Sequence, residues 1–323
     1  MHRPRRNRKT PPSRAILAET RLEAARLMLP LFLHEGPGDQ PIAALEGHSR
    51  LGPDGLLRAA EQAAGAGLAG VVLFPALPEQ LKTKDAAAAL DPEGLVPRSI
   101  RRIKAAFPEL PVVTDVALDP YSADGHDGLV AESGEVLNDE TVEILCRQAV
   151  LHAEAGADTV APSDMMDGRV GAIRAALEAA GHTNTQILAY TAKYASAYYG
   201  PFREALDSAP RAGDKKTYQM DPGNRREALR ELSLDEAEGA DLVMVKPAGP
   251  YLDVIAELRA ATTLPVAAYQ VSGEYAQLKA AAERGWLDER ACQLEALLGI
   301  RRAGADLILT YAALEAAAWL TES

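Results

Sequence analysis

The chain of 323 residues has a formal net charge of −12, with 47% hydrophobic and 25% charged residues. Such a profile belongs to a soluble globular enzyme, and the length fits one α/β barrel. The acidic balance argues against nucleic acid as the main partner. No apolar run approaches the roughly 20 residues that span a bilayer, so no membrane partner is expected.

The first segment, "HRPRRNRKTPPSR" (His2 to Arg14), holds several Arg and Lys and no acid. It reads either as a solvated tail or as an arm that docks on the acidic body of a neighbouring subunit. No apolar signal-peptide core follows it. Cys146 and Cys292 both fall in helix-like text, which fits a reducing compartment and not a disulfide framework. These features lead to the expectation of a cytoplasmic protein with an extended N-terminal arm, residues 1–28, and a catalytic body, residues 29–323.

Eight short apolar runs follow: 29–35, 70–75, 111–119, 158–164, 186–193, 241–247, 265–272 and 306–313. Most have a continuous apolar centre, as parallel strands buried on both faces do. Helical text separates them, for example 139–156 and 168–181. Three runs are entered through one phrase, "EAGAD" before Thr159, "EGAD" before Leu242 and "AGAD" before Leu307. Gly ends each helix there and turns the chain into the next strand. Eight strands alternating with helices predict a single (β/α)8 TIM barrel. No Gly-x-Gly-x-x-Gly follows the first strands, which removes the dinucleotide signature of an open sheet.

In such a barrel the site lies at the C-terminal ends of the strands. The residues there are Asp115, Asp119, Ser163, Asp164, Lys193, Lys246, Ser272 and Tyr311. Lys193 and Lys246 each end an apolar run. A lysine held where a buried strand opens into a pocket is desolvated, and a second cation nearby lowers its pKa further. Such an amine can attack a carbonyl and form a Schiff base. A lone lysine of this kind could equally snorkel or hold a phosphate, but two at matching positions would repel each other without a task.

"TDVALDPYSADGHDG" (114–128) gathers Asp115, Asp119, Asp124, His126 and Asp127. Carboxylates with a histidine suit Mg²⁺ or Mn²⁺, or a site that orients ammonium groups, or an acidic surface turn. In "APSDMMDGRVGAIR" (161–174), Asp167 is placed as an N-cap and Ser163 as a pocket residue. The aromatic-rich insertion from Tyr194 to Met220 reads as a lid, with Arg203, Lys215, Lys216 and Gln219 available to an anionic substrate. His34, His48, His152 and His182 are read as structural.

These motifs, with "YTAKYASAYYGPFREA", "KKTYQMDPGN", "MVKPAGPYLD", "YQVSGEYA" and "RAGADLILTY", make the chain resemble the porphobilinogen synthase (5-aminolevulinate dehydratase) family from about Leu29 onward. The resemblance implies a barrel with an N-terminal arm, assembled as a homo-octamer of arm-exchanging dimers. It also implies a lyase of heme and tetrapyrrole biosynthesis that condenses two 5-aminolevulinate molecules to porphobilinogen with loss of two waters. Lys246 and Lys193 would each form a Schiff base with one substrate. Ser272 and Tyr311 would bind the carboxylate of the substrate on Lys246. Arg203, Lys215 and Gln219 would face the other carboxylate, and Asp115 and Ser163 would line the pocket.

Zinc-dependent members have three cysteines where this chain has Ala117, Asp119 and Asp127. A cysteine-ligated catalytic Zn²⁺ is therefore not expected. The chain resembles instead the aspartate-rich members, stimulated by Mg²⁺ or by a monovalent cation such as K⁺. Glu231 matches the family's regulatory Mg²⁺ position, and Asp119 and Asp127 are further candidate metal ligands. Two other readings were weighed: a class I aldolase, which needs only one Schiff-base lysine, and a non-catalytic binding protein on the same fold.

Overall fold

The computed structural model describes residues 1–206 and 209–322. Eight parallel strands close into a barrel: β1 (Leu27–Leu33), β2 (Gly70–Pro75), β3 (Val112–Val116), β4 (Thr159–Pro162), β5 (Gln186–Lys193), β6 (Leu242–Lys246), β7 (Val266–Gln270) and β8 (Leu307–Thr310). Each strand pairs with the next, and β8 closes on β1 through Leu27↔Ile308 and Met28↔Leu309. Because β1 begins at Leu27, the barrel starts two residues before the expected boundary at residue 29.

The strands are short and apolar because both of their faces are covered. Met28, Phe32, Val72, Phe74, Leu188, Tyr190, Met244, Tyr269 and Leu309 fill the barrel interior. The alternating set, including Leu27, Leu29, Val71, Leu73, Ile187, Val243, Val245 and Ile308, packs beneath the helices. This period of two is the pleat of a strand buried on both sides.

The helices are α1 (Pro11–Leu17, in the arm), α2 (Pro53–Gly65), α3 (Leu95–Ala106), α4 (Asn138–Glu154), α5 (Arg169–Ala179) and α6 (Gly200–Leu206). They continue as α7 (Glu227–Glu238), α8 (Leu252–Ala261), α9 (Ser272–Glu283), α10 (Glu289–Ala303) and α11 (Ala313–Thr321). Ser272 is thus the first residue of α9, not the end of a strand. Asp167 does not cap α5: the N-cap is Gly168, in the left-handed region, and it makes no side-chain bond.

The repeated "GAD" phrase has a second function beyond the glycine turn. Gly156, Gly239 and Gly304 all have positive φ, as expected. Each following aspartate then accepts a backbone N–H at the start of the neighbouring strand: Asp158 from Val112 at 2.8 Å, Asp241 from Ile187 at 2.7 Å, Asp306 from Val266 at 3.1 Å. Each also pairs with a base on the helix that leads into that neighbouring strand, namely Lys104, Arg174 and Arg259. One aspartate thereby ties two strands and a helix together at the N-terminal end of the barrel, opposite the site.

The register of β5 against β6 slips. Val243 faces Ala189, yet Val245 faces Ala192, so β5 holds one extra residue between them. A bulge of this kind reverses which face the following side chains take. It brings Lys193 directly opposite Lys246.

Candidate active site

Lys246 and Lys193 are paired neighbours on adjacent strands, both buried and both at the C-terminal ends. Their surroundings differ. The Lys193 ammonium donates to Asp127 Oδ2 at 3.0 Å and to the carbonyl of Ser163. Among the described residues no carboxylate lies within ion-pairing distance of Lys246. Its Nζ stands instead 4.7 to 5.3 Å from the ring centroids of Tyr269, Phe202, Tyr190 and Tyr199. Burial, and after it the positive charge of Lys193, bring Lys246 down to about 7. The aromatic faces offset part of that penalty without supplying a counter-charge.

Asp127 joins the cations. Its Oδ1 accepts from Lys215 Nζ at 2.6 Å while Oδ2 accepts from Lys193. Gln219 reaches the same Oδ2 at 3.5 Å. Burial alone would raise the Asp127 pKa, but the two ammonium groups outweigh it and hold the carboxyl well below the usual range. Lys215 also donates to Asp119 at 3.3 Å. Asp115 is different: its Oδ1 is buried with no partner among the described residues. Burial first, then Asp119, push its pKa up, although Ser163 bonds to it and both lysines pull it down.

The insertion after β5 closes the mouth. A turn of helix, Ala197–Tyr199, and then α6 place Tyr199, Phe202 and Arg203 over the lysines. What is left between Asp115, Asp127, Ser163, Lys193, Arg203 and Lys246 is a cavity of about 30 Å³. That holds one water, so a substrate needs the covering segment to shift. Residues 207–208 of the expected lid lie outside the described residues.

Nine of the expected residues meet here: Asp115, Asp119, Asp127, Ser163, Lys193, Arg203, Lys215, Gln219 and Lys246. Ser272 and Tyr311 lie beyond Phe202. Ser272 Oγ accepts from Phe202 N at 3.0 Å, and Tyr311 stacks on Phe32, itself against Phe202. Glu231 stands apart, in a cavity of about 670 Å³ with Asp167, Asp221 and Glu227; Gln219 lines both cavities. Lys216 points away and pairs with Asp214. His126 bonds Tyr218 and the carbonyl of Ala212, and so fastens the lid loop. Asp164 pairs with buried Arg169 beneath the site. The rings around Lys246 were not picked out from sequence, although the aromatic density of 194–202 was the available signal.

A family model described as delta-aminolevulinic acid dehydratase matches residues 1–319. The chain belongs to the delta-aminolevulinic acid dehydratase family. It is 62% identical over 319 residues to the chloroplastic delta-aminolevulinic acid dehydratase of Physcomitrium patens, covering 98% of this chain and 74% of that protein. The chloroplastic enzyme of Glycine max is 58% identical over 316 residues, with 98% and 77% covered. Among solved structures, the Toxoplasma gondii ME49 enzyme in complex with the reaction product porphobilinogen superposes with a TM-score of 0.98 at 52% identity. It covers 100% of this chain and 92% of that one.

The dehydratase is a lyase that condenses two 5-aminolevulinate molecules to porphobilinogen in tetrapyrrole biosynthesis. That activity displaces the aldolase and the non-catalytic readings. One expectation is corrected. The cytoplasmic assignment is overturned, because curated relatives are named as chloroplastic proteins. Asp119 and Asp127, the further candidate metal ligands, are paired with lysines here: Lys215 sits between them and Lys193 holds the remaining Asp127 oxygen. Among the described residues no three His, Cys, Asp or Glu side chains are arranged to hold a metal ion.

Asp127 is the counter-charge for two buried ammonium groups, and its removal leaves Lys193 without an ion pair and Lys215 with Asp119 alone. Asp127→Asn should destabilise the enzyme by about 3–5 kcal/mol at pH 7, measured by urea unfolding. A depressed carboxyl contributes fully above its unfolded pKa of about 3.9 and loses that contribution as pH falls toward its folded value. The gap between wild type and variant should therefore narrow below about pH 4.

Proposed function

We propose that the condensation runs through two Schiff bases, one on Lys246 and one on Lys193. The observation that supports this best is the direct pairing of the two lysines in unequal surroundings. Lys246 has its pKa lowered to about 7 and no ion-paired carboxylate, so a large share of it is free amine near neutral pH. Its nitrogen adds to the keto carbon of one substrate; the carbonyl oxygen leaves as water and an imine remains. The imine formed in the same way by the second substrate on Lys193 acidifies the carbon beside it. We assign the taking and later return of that proton to Asp115, whose raised pKa and unpartnered oxygen support the role.

The resulting enamine carbon attacks the imine carbon of the first substrate on Lys246, which keeps its three-carbon propionate chain. Holding both substrates covalently removes the entropic cost of a bimolecular encounter, about 7–11 kcal/mol at the upper end. We assign the carboxylate of the first substrate to Ser272 and Tyr311. A hydroxyl has one donor and two acceptor positions, so Ser272 can accept from Phe202 N and still donate to a carboxylate. Arg203, Lys215 and Gln219 are assigned to the second carboxylate.

Glu231 fits a hard cation that keeps most of its waters. Burial first, then Asp235, raise its pKa, with Glu227 and Asp167 adding to the effect. Where Mg²⁺ is bound, Glu231 would hold it, with Asp167 and Glu227 nearby, and the ion would neutralise this acidic cluster. For assembly, the arm supports an oligomer. No residue of α1 is buried, and Ile16 is 85% exposed, so the arm has no seat on its own barrel. We assign it to a neighbouring copy in an octamer.

Borohydride with 5-aminolevulinate should label Lys246 and Lys193, and Lys246→Ala should abolish condensation with the fold intact by circular dichroism. The Lys246 adduct should form faster as pH rises through about 7 and then level off, because the amine and not the ammonium attacks; labelling of neither lysine sinks the reading. Mg²⁺ should raise the thermal midpoint of the wild type and not of Glu231→Ala. Deleting residues 1–14 should shrink the oligomer on a sizing column, and an unchanged size would return the arm to a solvated tail.

A further inference from the structure

The covering helix α6 has only seven residues, too few to hold its place by propensity. What fixes its two ends therefore decides where Phe202 and Arg203 stand. At its start, Phe202 N donates to Ser272 Oγ at 3.0 Å. The turn before it rests directly on α9: a side chain at Gly273 would come within 2.4 Å of Tyr198 O. At its end, the holding group comes from beside β1. Arg50 lies on the short strand Ser49–Leu51, in register with Phe32 of β1. Its Nε donates to Ala205 O at 2.6 Å and its Nη2 to Glu204 O at 2.8 Å.

Carbonyls in the last turn of a helix lack intrahelical donors, and a cation there complements the negative end of the helix dipole. A guanidinium fork spanning two successive carbonyls fixes direction as well as distance. Arg50 faces a separate cavity of about 540 Å³ with Glu79 and Glu204, and takes no part in the lining of the cavity between the lysines.

We propose that Arg50 is a positioning residue for the condensation. It anchors the C-terminal carbonyls of α6 and thereby places Arg203 at the second carboxylate and Phe202 against Lys246. This rests on the assignment of Arg203 to a substrate carboxylate. A helix rises 1.5 Å per residue, so release of its end by one carbonyl moves Arg203 by more than a hydrogen bond tolerates.

The test is a double-mutant cycle on the full-length enzyme with 5-aminolevulinate as the probe. Arg50→Ala should raise KM about tenfold with kcat nearly unchanged and the thermal midpoint close to wild type. Arg203→Ala should raise KM too, and the double variant should be no worse than Arg203→Ala alone, since the first residue acts through the second. Arg50→Lys keeps the stem and one donor and should recover part of the loss; it serves in the same cycle if Arg50→Ala does not fold. Losses that multiply in the double variant, or an unchanged KM in Arg50→Ala while Arg203→Ala raises it, overturn the Arg50 proposal alone. An unchanged KM in Arg203→Ala overturns the anion-site assignment and the proposal with it.

Discussion

A single carboxylate, Asp127, shared between Lys193 and Lys215, is the constraint on which the site depends. Ammonium groups taken out of water are tolerated only with a compensating charge. Asp127 supplies it to two of three lysines, and Asp119 adds to one of them. Lys246 is left with rings and no ion pair. The same side chain thus occupies two environments a strand apart, and their chemistry separates. This is the general way in which one fold sets paired groups to different tasks.

The barrel serves that asymmetry from both ends. At the N-terminal end, three aspartates with three basic partners lock strand to strand and to helix. At the C-terminal end, the strands stop and the side chains become polar. The site is then closed by a short helix held from two sides, by a hydroxyl on α9 and a guanidinium beside β1. A rigid frame with a cover held by a few bonds suits a reaction in which two substrates must enter and one larger product must leave.

Much of this was legible in the chain. The eight strands were found within a few residues, because burial on both faces writes a continuous apolar run. Lys193 and Lys246 were visible because a charge ending such a run is costly without a reason. Three things were not legible. The aspartates of the "GAD" phrase looked like turn residues, since their partners are distant in sequence. Asp119 and Asp127 were open to a metal, to ammonium groups or to a surface turn, since a list of acids does not show that Lys215, some ninety residues on, lies between them. Arg50 carried no signal in the sequence, since the carbonyls it holds are 154 and 155 residues away.

By itself the sequence determined the fold class, the family and the two lysines, because these rest on local patterns and long distinctive motifs. The tertiary structure decided how the lysines meet. Counted along an unbroken strand from the pairing of Val243 with Ala189, Lys246 would stand opposite Ala192, with Lys193 on the wrong face. One extra residue in β5 corrects the parity and sets the two amines side by side. A bulge leaves no periodic mark of its own, because it is a relation between two strands and belongs to neither.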